Sequence, residues 1–191
     1  AAVRGVVDTA PLLERAMAQR AGLGWIGKNT MLINRRFGSW IFLAAMLTSE
    51  SLEYDRPHDR DYCGTCRACL DACPTGALVD AHQLDARKCI SYLTIERRGA
   101  IPSELQSSLG HWVFGCDVCQ EVCPWNRKTP TTSEPAWAPG EGMNPLILAE
   151  LTAMDDAAFE RRFGKTSLKR AGREGLARNA AMVDRGGARG R

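Results

Sequence analysis

The stretch CGTCRACLDACPTGA, residues 63–77, sets four cysteines and a proline within a dozen residues. Its core, CRACLDACP from Cys66, returns fifty residues later as CDVCQEVCP from Cys116. In both, two residues separate the first cysteines, three precede the last, and proline follows. A duplication accounts for such a match. The chain has eight cysteines, and Cys89 is the one outside the two runs. The most apolar stretch, WIFLAAMLTS from Trp40, is far too short to span a bilayer, and the opening residues do not read as a secretory signal. The thiols are therefore expected in a reducing, cytoplasmic setting, where clustered cysteines bind metal rather than pair as disulfides.

At 191 residues and 45% hydrophobic, the chain can bury a core and suits one domain or two small ones, which argues against a disordered polypeptide. It opens on Ala rather than Met, with AAVRGVVDTAP reading as the end of a strand running into a helix, so we expect a fragment whose N-terminal part is missing. Net charge is +3 but unevenly spread. From Arg161 onward there are ten Lys or Arg against two acids, while the preceding residues carry fifteen against twenty. A basic tail on an acidic body is an electrostatic footprint for a polyanion such as nucleic acid, although a solvated helical surface has the same composition.

The segment APLLERAMAQRAG has apolar residues at Leu12, Leu13, Ala16, Met17 and Ala21, one face of a helix. Asp8 or Thr9 would cap it, Pro11 would occupy its first turn and Gly22 would end it. After the Gly-rich turn GLGWIGKNT, the segments MLIN and SWIFLAAML flank NRRFG as a β-hairpin. Beyond the cysteine region, TPTTSEPAWAPGEGMNP is a connector with little capacity for regular structure. The segment from Leu146 to Val183 reads as two or three short helices broken near Gly164 and Gly172, and DRGGARGR is expected to be disordered.

With Cys63 in front, the run Cys63, Cys66, Cys69, Cys73 and Pro74 resembles that of a bacterial ferredoxin. In that family three thiolates of one loop hold one 4Fe–4S cluster, and the fourth reaches the other cluster. The resemblance implies Cys63, Cys66, Cys69 and Cys123 at one cluster, with Cys73, Cys116 and Cys119 at the second. The repeat offset puts the remaining ligand at Val113, which cannot coordinate iron, and Cys89 closes the set. Two four-cysteine zinc sites would also use all eight, but zinc does not call for the crossed run with proline after each last cysteine. Two adjacent clusters make an electron wire, and a bare two-cluster ferredoxin would need only about a third of this chain.

The segments VDTAPLLERAMAQRAGLGWIGKNTMLIN, CGTCRACLDACPTGAL, CISYLTIERRGAIP, GCDVCQEVCPWN and LKRAGREGLARNAA, in that order, resemble the epoxyqueuosine reductases from about Val6 to Met182. The resemblance implies an α+β fold. Residues 1–55 would be part of a cobalamin-binding catalytic domain, 56–130 a ferredoxin-like domain with two 4Fe–4S clusters, and 131–191 a linker and basic helical region. It implies removal of the epoxide oxygen from epoxyqueuosine in the tRNA anticodon, with electrons passing from the clusters to a base-off cobalamin. Asp8 matches the family's proton donor, and an acid kept protonated in an apolar pocket would neutralise the opened epoxide oxygen. The same residue is otherwise an ordinary helix cap.

Lys28 and Asn29, in GWIGKNT, would reach the corrin's amides or phosphate, or else close a polar turn. Ser91, Tyr92 and Asp117, adjacent to ligand cysteines, would lie between cluster and cofactor. Arg97, Arg98, Lys165, Lys169, Arg170, Arg173 and Arg178 are candidate phosphate contacts, Arg98 foremost, and Trp112, Trp125 and Trp137 would either stack on bases or pack inside. The expected partners are tRNA and an external low-potential electron donor, with no membrane, the enzyme acting as a monomer. Two other readings share parts of this pattern. A corrinoid reductive dehalogenase uses a similar cofactor plan but has no reason for a basic tail, and a ferredoxin-like relay accounts for the cysteines alone.

Overall fold

The computed structural model describes residues 1–140, 143 and 146–189, the last six by their backbone alone. The first elements are β1 (Val3–Val6), α1 (Glu14–Arg20), β2 (Trp25–Ile26), β3 (Leu32–Ile33), β4 (Ala45–Thr48), α2 (Ala68–Ala72), β5 (Leu78–Asp80) and β6 (Gln83–Leu84). A π-helical turn at Tyr92–Glu96 leads to α3 (Ser103–Gln106), α4 (Val118–Glu121), α5 (Leu148–Ala153), α6 (Asp156–Phe163) and α7 (Gly172–Arg189). The strands form three antiparallel pairs, β1–β4, β2–β3 and β5–β6. Helix and antiparallel strand thus share the chain, as the expected α+β class requires. None of the described helices is long and apolar enough to cross a membrane.

Two compact units divide the chain. One comprises Ala1–Cys73, Leu78–Leu84 and Val118–Thr131, the other Pro74–Ala77, Asp85–Asp117 and Thr132–Arg191. In the first, the turn GKNT is closed by Gly27 N–H to Met31 O and Thr30 N–H to Gly27 O, both 2.8 Å, and pairs Trp25 with Ile33 and Ile26 with Leu32. A Cβ at Gly27 would press on the ends of the Ile33 and Asn29 side chains, both of which would have to shift. Trp25 and Ile33 are 1% exposed and pack with Cys123, Tyr62, Cys63 and Trp125. The Trp25 ring meets Tyr62 at 5.1 Å and Trp125 at 4.9 Å, edge to face.

Two local expectations give way here. MLIN does not pair with SWIFLAAML. It pairs back onto Trp25–Ile26, while Ala45–Thr48 joins the N-terminal strand in the register Val3 with Thr48 and Val6 with Ala45. The NRRFG turn is closed by an Asn34–Gly38 bridge, with Asn34 Oδ1 accepting from Arg36 and Phe37 N–H. Directly after it, Ser39 N–H is taken by Asn126 Oδ1 at 2.7 Å, which draws the chain off the ladder before a second strand can form. Helix α1 begins at Glu14, later than Asp8 and Pro11 predict, with no side-chain cap. Asp8 has a left-handed backbone (φ 47°), and Leu12 N–H closes a tight turn on Ala10 O, so the chain is not helical through Pro11. Gly22, in the left-handed region at φ 72°, follows the helix end as expected.

The second unit has two apolar clusters. Phe163, Leu176, Ala180, Leu151, Phe159 and Ala171 hold α5, α6 and α7 together; Ile90, Leu93, Ile101 and Leu109 pack under the π-helical turn. Asp155 caps α6, accepting from Ala158 N–H at 2.7 Å, and the helices break at Gly164 and Gly172 as predicted. Of the connector, Pro135–Trp137 makes one 3-10 turn, and residues 141, 142, 144 and 145 lie outside the described residues. Helix α7 runs to Arg189, against the disorder expected of DRGGARGR; extending an existing helix costs far less than starting one. Residues 190 and 191 lie outside the described residues.

A polar network is buried between these apolar clusters. Asn179, 0% exposed, donates from Nδ2 to Thr94 O and Val113 O, both at 2.8 Å, and Thr94 Oγ1 accepts from Gly115 N–H at 3.0 Å and donates to Ile90 O at 2.7 Å. Replacing Asn179 by Ala strands two buried carbonyls, so Asn179→Ala should lower stability by about 2–4 kcal/mol in a denaturant titration. A loss under about 0.5 kcal/mol, the range of an ordinary surface change, would show that the network carries little of the fold.

Candidate functional site: a four-thiol cavity

The two halves of the repeat lie on α2 and α4, which pack against one another in the first unit. Cys66 N–H turns back on Cys63 O at 3.0 Å, and Cys69 rides on α2. The second copy ends with Cys123 N–H on Gln120 O at 3.1 Å, and Pro124 then opens a 3-10 turn over Pro124–Asn126. Asn126 locks that turn by donating to Gln120 O (2.7 Å) and Ser39 Oγ (2.9 Å).

Cys63, Cys66, Cys69 and Cys123 line one cavity of about 270 Å³, walled by Ile33, Tyr62, Ala68, Pro124 and Trp125. Sequence neighbours alone would not bring Cys123 to it; the packing of the repeats does. Burial pushes the thiols of Cys63, Cys69 and Cys123 up from their ordinary pKa, and Cys69 is raised further by Cys63 and Cys123, as Cys123 is by Cys66. Cys69 and Cys123 therefore feel the charge of neighbouring sulfurs. Against burial, Cys63 is drawn down by the backbone N–H of Lys28 and by the indole of Trp25. The Trp25 N–H falls short of a hydrogen bond and is left buried without a partner beside this sulfur.

No three His, Cys, Asp or Glu side chains among the described residues converge closely enough for a single metal ion. A cavity walled by four thiols, with an orphaned indole donor on its edge, suits a multi-iron group bound through sulfur better than a lone tetrahedral zinc. Filling it requires expelling protons from thiols that burial holds neutral.

The other four cysteines are partly buried. Cys73 and Cys119 belong to the first unit, Cys89 and Cys116 to the second. Lys28, expected at a corrin, donates from Nζ to Gly64 O (2.6 Å) and Cys66 O (2.9 Å). Asn29, 3% exposed, donates to Cys119 O at 3.2 Å. In the second unit Ser91 Oγ donates to Cys116 O at 3.3 Å. All three thus touch a cysteine loop. Asp117 directly follows Cys116, and Tyr92 is 37% exposed. Asp8 lies in the exposed loop between β1 and α1.

Several of the basic candidates are engaged within the fold. Arg178 donates to Asn179 Oδ1, Arg97 O, Gly99 O and Leu93 O at 2.6–3.0 Å, which occupies all five of its N–H groups. Burial, with the nearby charges of Arg97 and Arg98, lowers its pKa. Arg98 donates to the carbonyls of Ile95, Ala171 and Arg170. Lys169 pairs with Glu160 at 2.7 Å, Arg170 with Glu96 at 2.6 Å and Arg173 with Asp156 at 2.5 Å, while Lys165 is exposed. Arg97, Arg98, Arg173 and Arg178 border an open cavity of about 590 Å³ that also meets Asp156 and Glu174. Trp125 packs in the first core, Trp112 stacks on His111 at 4.9 Å, and Trp137 is 58% exposed.

Sequence reasoning passed over Trp25, Asp61 and His82. Asp61 accepts Cys63 N–H at 2.7 Å and stands 3.4 Å from His82, whose ring contacts Gly27 O at 3.1 Å. An acid two residues before the first cysteine was the available signal.

Residues 62–126 match the family described as a 4Fe-4S double cluster binding domain. The epoxyqueuosine reductase of Pseudomonas aeruginosa is 49% identical over 94% of this chain and 50% of its own length; that of Cyclobacterium marinum is 46% identical over 94% and 57%. A crystal structure of epoxyqueuosine reductase with a tRNA-Tyr epoxyqueuosine-modified tRNA stem loop superposes with a TM-score of 0.89 at 40% identity, covering 95% of this chain and 48% of that one. The chain spans about half the length of the curated relatives it matches. In sequence and in backbone alike, it is similar to the epoxyqueuosine reductases over nearly all of its own length.

Proposed function

We propose that the protein is an epoxyqueuosine reductase, removing the epoxide oxygen from epoxyqueuosine in tRNA to leave queuosine, and that this chain carries its two 4Fe–4S clusters. The observation that carries the reading is the gathering of Cys63, Cys66, Cys69 and Cys123 around one cavity, in a chain matching epoxyqueuosine reductases over 94% of its length. We assign those four to one cluster. Cys73, Cys89, Cys116 and Cys119 go to the second, on the crossed ferredoxin pattern and the family match.

Converting the epoxide to an alkene consumes two electrons and two protons and releases the oxygen as water. Bound clusters would supply the electrons one at a time from an external low-potential donor. Cobalamin, the family's other cofactor, belongs to the proposal for the whole protein. Lys28 commits two of its three ammonium N–H groups to the cysteine loop and Asn29 one of its two amide N–H groups, which leaves one on each toward a corrin amide. Ser91 and Asp117 complete the set assigned to the cofactor side.

Asp8 is our choice of proton donor. A Bacillus subtilis epoxyqueuosine reductase is described with its catalytic aspartate loop swung out of the active site, and Asp8 is likewise borne on a loop. Because Asp8 is exposed in this chain, the apolar cover that keeps such an acid protonated must come from groups brought to it. For tRNA we favour Arg97, whose side chain bonds to Ala100 O, and the exposed Lys165 over Arg98 and Arg178, whose guanidinium groups are each bonded to several internal carbonyls. A tRNA substrate fits a monomer working in the cytoplasm.

Anaerobic reconstitution should yield about eight irons per chain, falling to about four in Cys123→Ala; zinc in place of iron would overturn the assignment. Asp8→Asn should cut deoxygenation of epoxyqueuosine tRNA by roughly 10²–10⁴-fold with the cluster spectra unchanged, and an undiminished rate would remove Asp8 from the chemistry. Clusters intact in a full-length protein that never turns over this tRNA would leave the relay reading standing. A salt titration of tRNA binding should lose slope on neutralising Arg97 and Lys165, and an unaltered slope would place the RNA elsewhere.

A further inference from the structure

We propose that the ammonium group of Lys28 sets the reduction potential of the first cluster, raising it by compensating the charge of its four thiolates; this rests on the two-cluster reading above. Lys28 meets the cysteine loop twice, its Nζ donating to Gly64 O at 2.6 Å and to Cys66 O at 2.9 Å. The residue is itself pinned, because its carbonyl accepts His82 N–H at 3.0 Å within the closed GKNT turn.

Among the described residues lining the four-thiol cavity, Lys28 is the one with a charged side chain apart from the cysteines themselves. The remaining walls are aliphatic, aromatic or amide, so no other cationic side chain there offsets negative charge. Of the neighbouring charges, the Asp61 carboxylate is turned onto the Cys63 N–H and His82, and Arg35 lies against the Tyr62 ring, 4.3 Å from its centroid.

A four-thiolate cluster gains one more negative charge on reduction. A fixed cation at the edge of a low-dielectric cavity therefore stabilises the reduced state over the oxidised one and lifts the potential. Lys28 is a positioning and tuning residue in this account, acting through the loop and its field.

The test is a redox titration, monitored by EPR, of the reconstituted full-length protein and of Lys28→Gln and Lys28→Arg. Gln keeps an N–H for the carbonyls and drops the charge; Arg keeps the charge. The expected result is a lower midpoint for one of the two clusters in Lys28→Gln, the other unmoved, with Lys28→Arg close to the parent. Loss of about four irons in Lys28→Gln would show that Lys28 holds the cluster in place rather than tuning it, and would overturn the proposal. Unmoved midpoints with full iron in Lys28→Gln, or the same defect in Lys28→Arg as in Lys28→Gln, overturn the proposal. A parent protein lacking two cluster transitions would instead sink the two-cluster reading, whatever Lys28 does.

Discussion

Four sulfur atoms around one half-buried cavity cannot all ionise without help, and the rest of the first unit is arranged around that constraint. Burial holds the thiols of Cys63, Cys69 and Cys123 neutral, reinforced at Cys69 and Cys123 by neighbouring thiols, so a sulfur-bound group must supply the compensating positive charge. The elements nearest the cavity ease that demand in small ways. A strand residue presents an indole N–H to one sulfur, and the GKNT turn supplies a backbone N–H and an ammonium. Asn29 ties Cys119 O to the same turn that holds Gly64 and Cys66, so one five-residue segment reaches both copies of the repeat.

The second unit answers a different problem. Its π-helical turn interrupts regular hydrogen bonding next to Cys89, and the carbonyls exposed there need donors. Arg178 and Asn179, adjacent on α7, provide them for Leu93, Thr94, Arg97, Gly99 and Val113. A basic residue in a basic tail thus turns out to be part of the interior. Charge counting could not separate it from Lys165, which is exposed, because the difference lies in which carbonyls are left over elsewhere in the fold.

The ferredoxin resemblance implied that Cys123 would join the first cysteine loop, and Cys63, Cys66, Cys69 and Cys123 line one cavity. The helix breaks at Gly164 and Gly172 were also readable, since glycine ends helices for local reasons. Strand pairing was not readable: MLIN pairs back onto Trp25–Ile26, and the segment after it is bonded through Ser39 to Asn126, 87 residues away, a contact with no local signature. The roles of Lys28 and Asn29 were half legible. Their turn marked them as polar and functional, but only the fold shows that their side chains face the cysteine loops.

The crossed position of Cys123 has a mechanical meaning. Three of the thiols lining the cavity come from one short loop and the fourth from a residue 54 positions beyond Cys69, so a group bound to all four would close a long loop as a covalent cross-link does. Closing it would remove configurational freedom from the unfolded chain, and binding free energy would become folding free energy. Oxidative loss of such a group would therefore remove a tie between the two halves of the repeat along with the electron carrier.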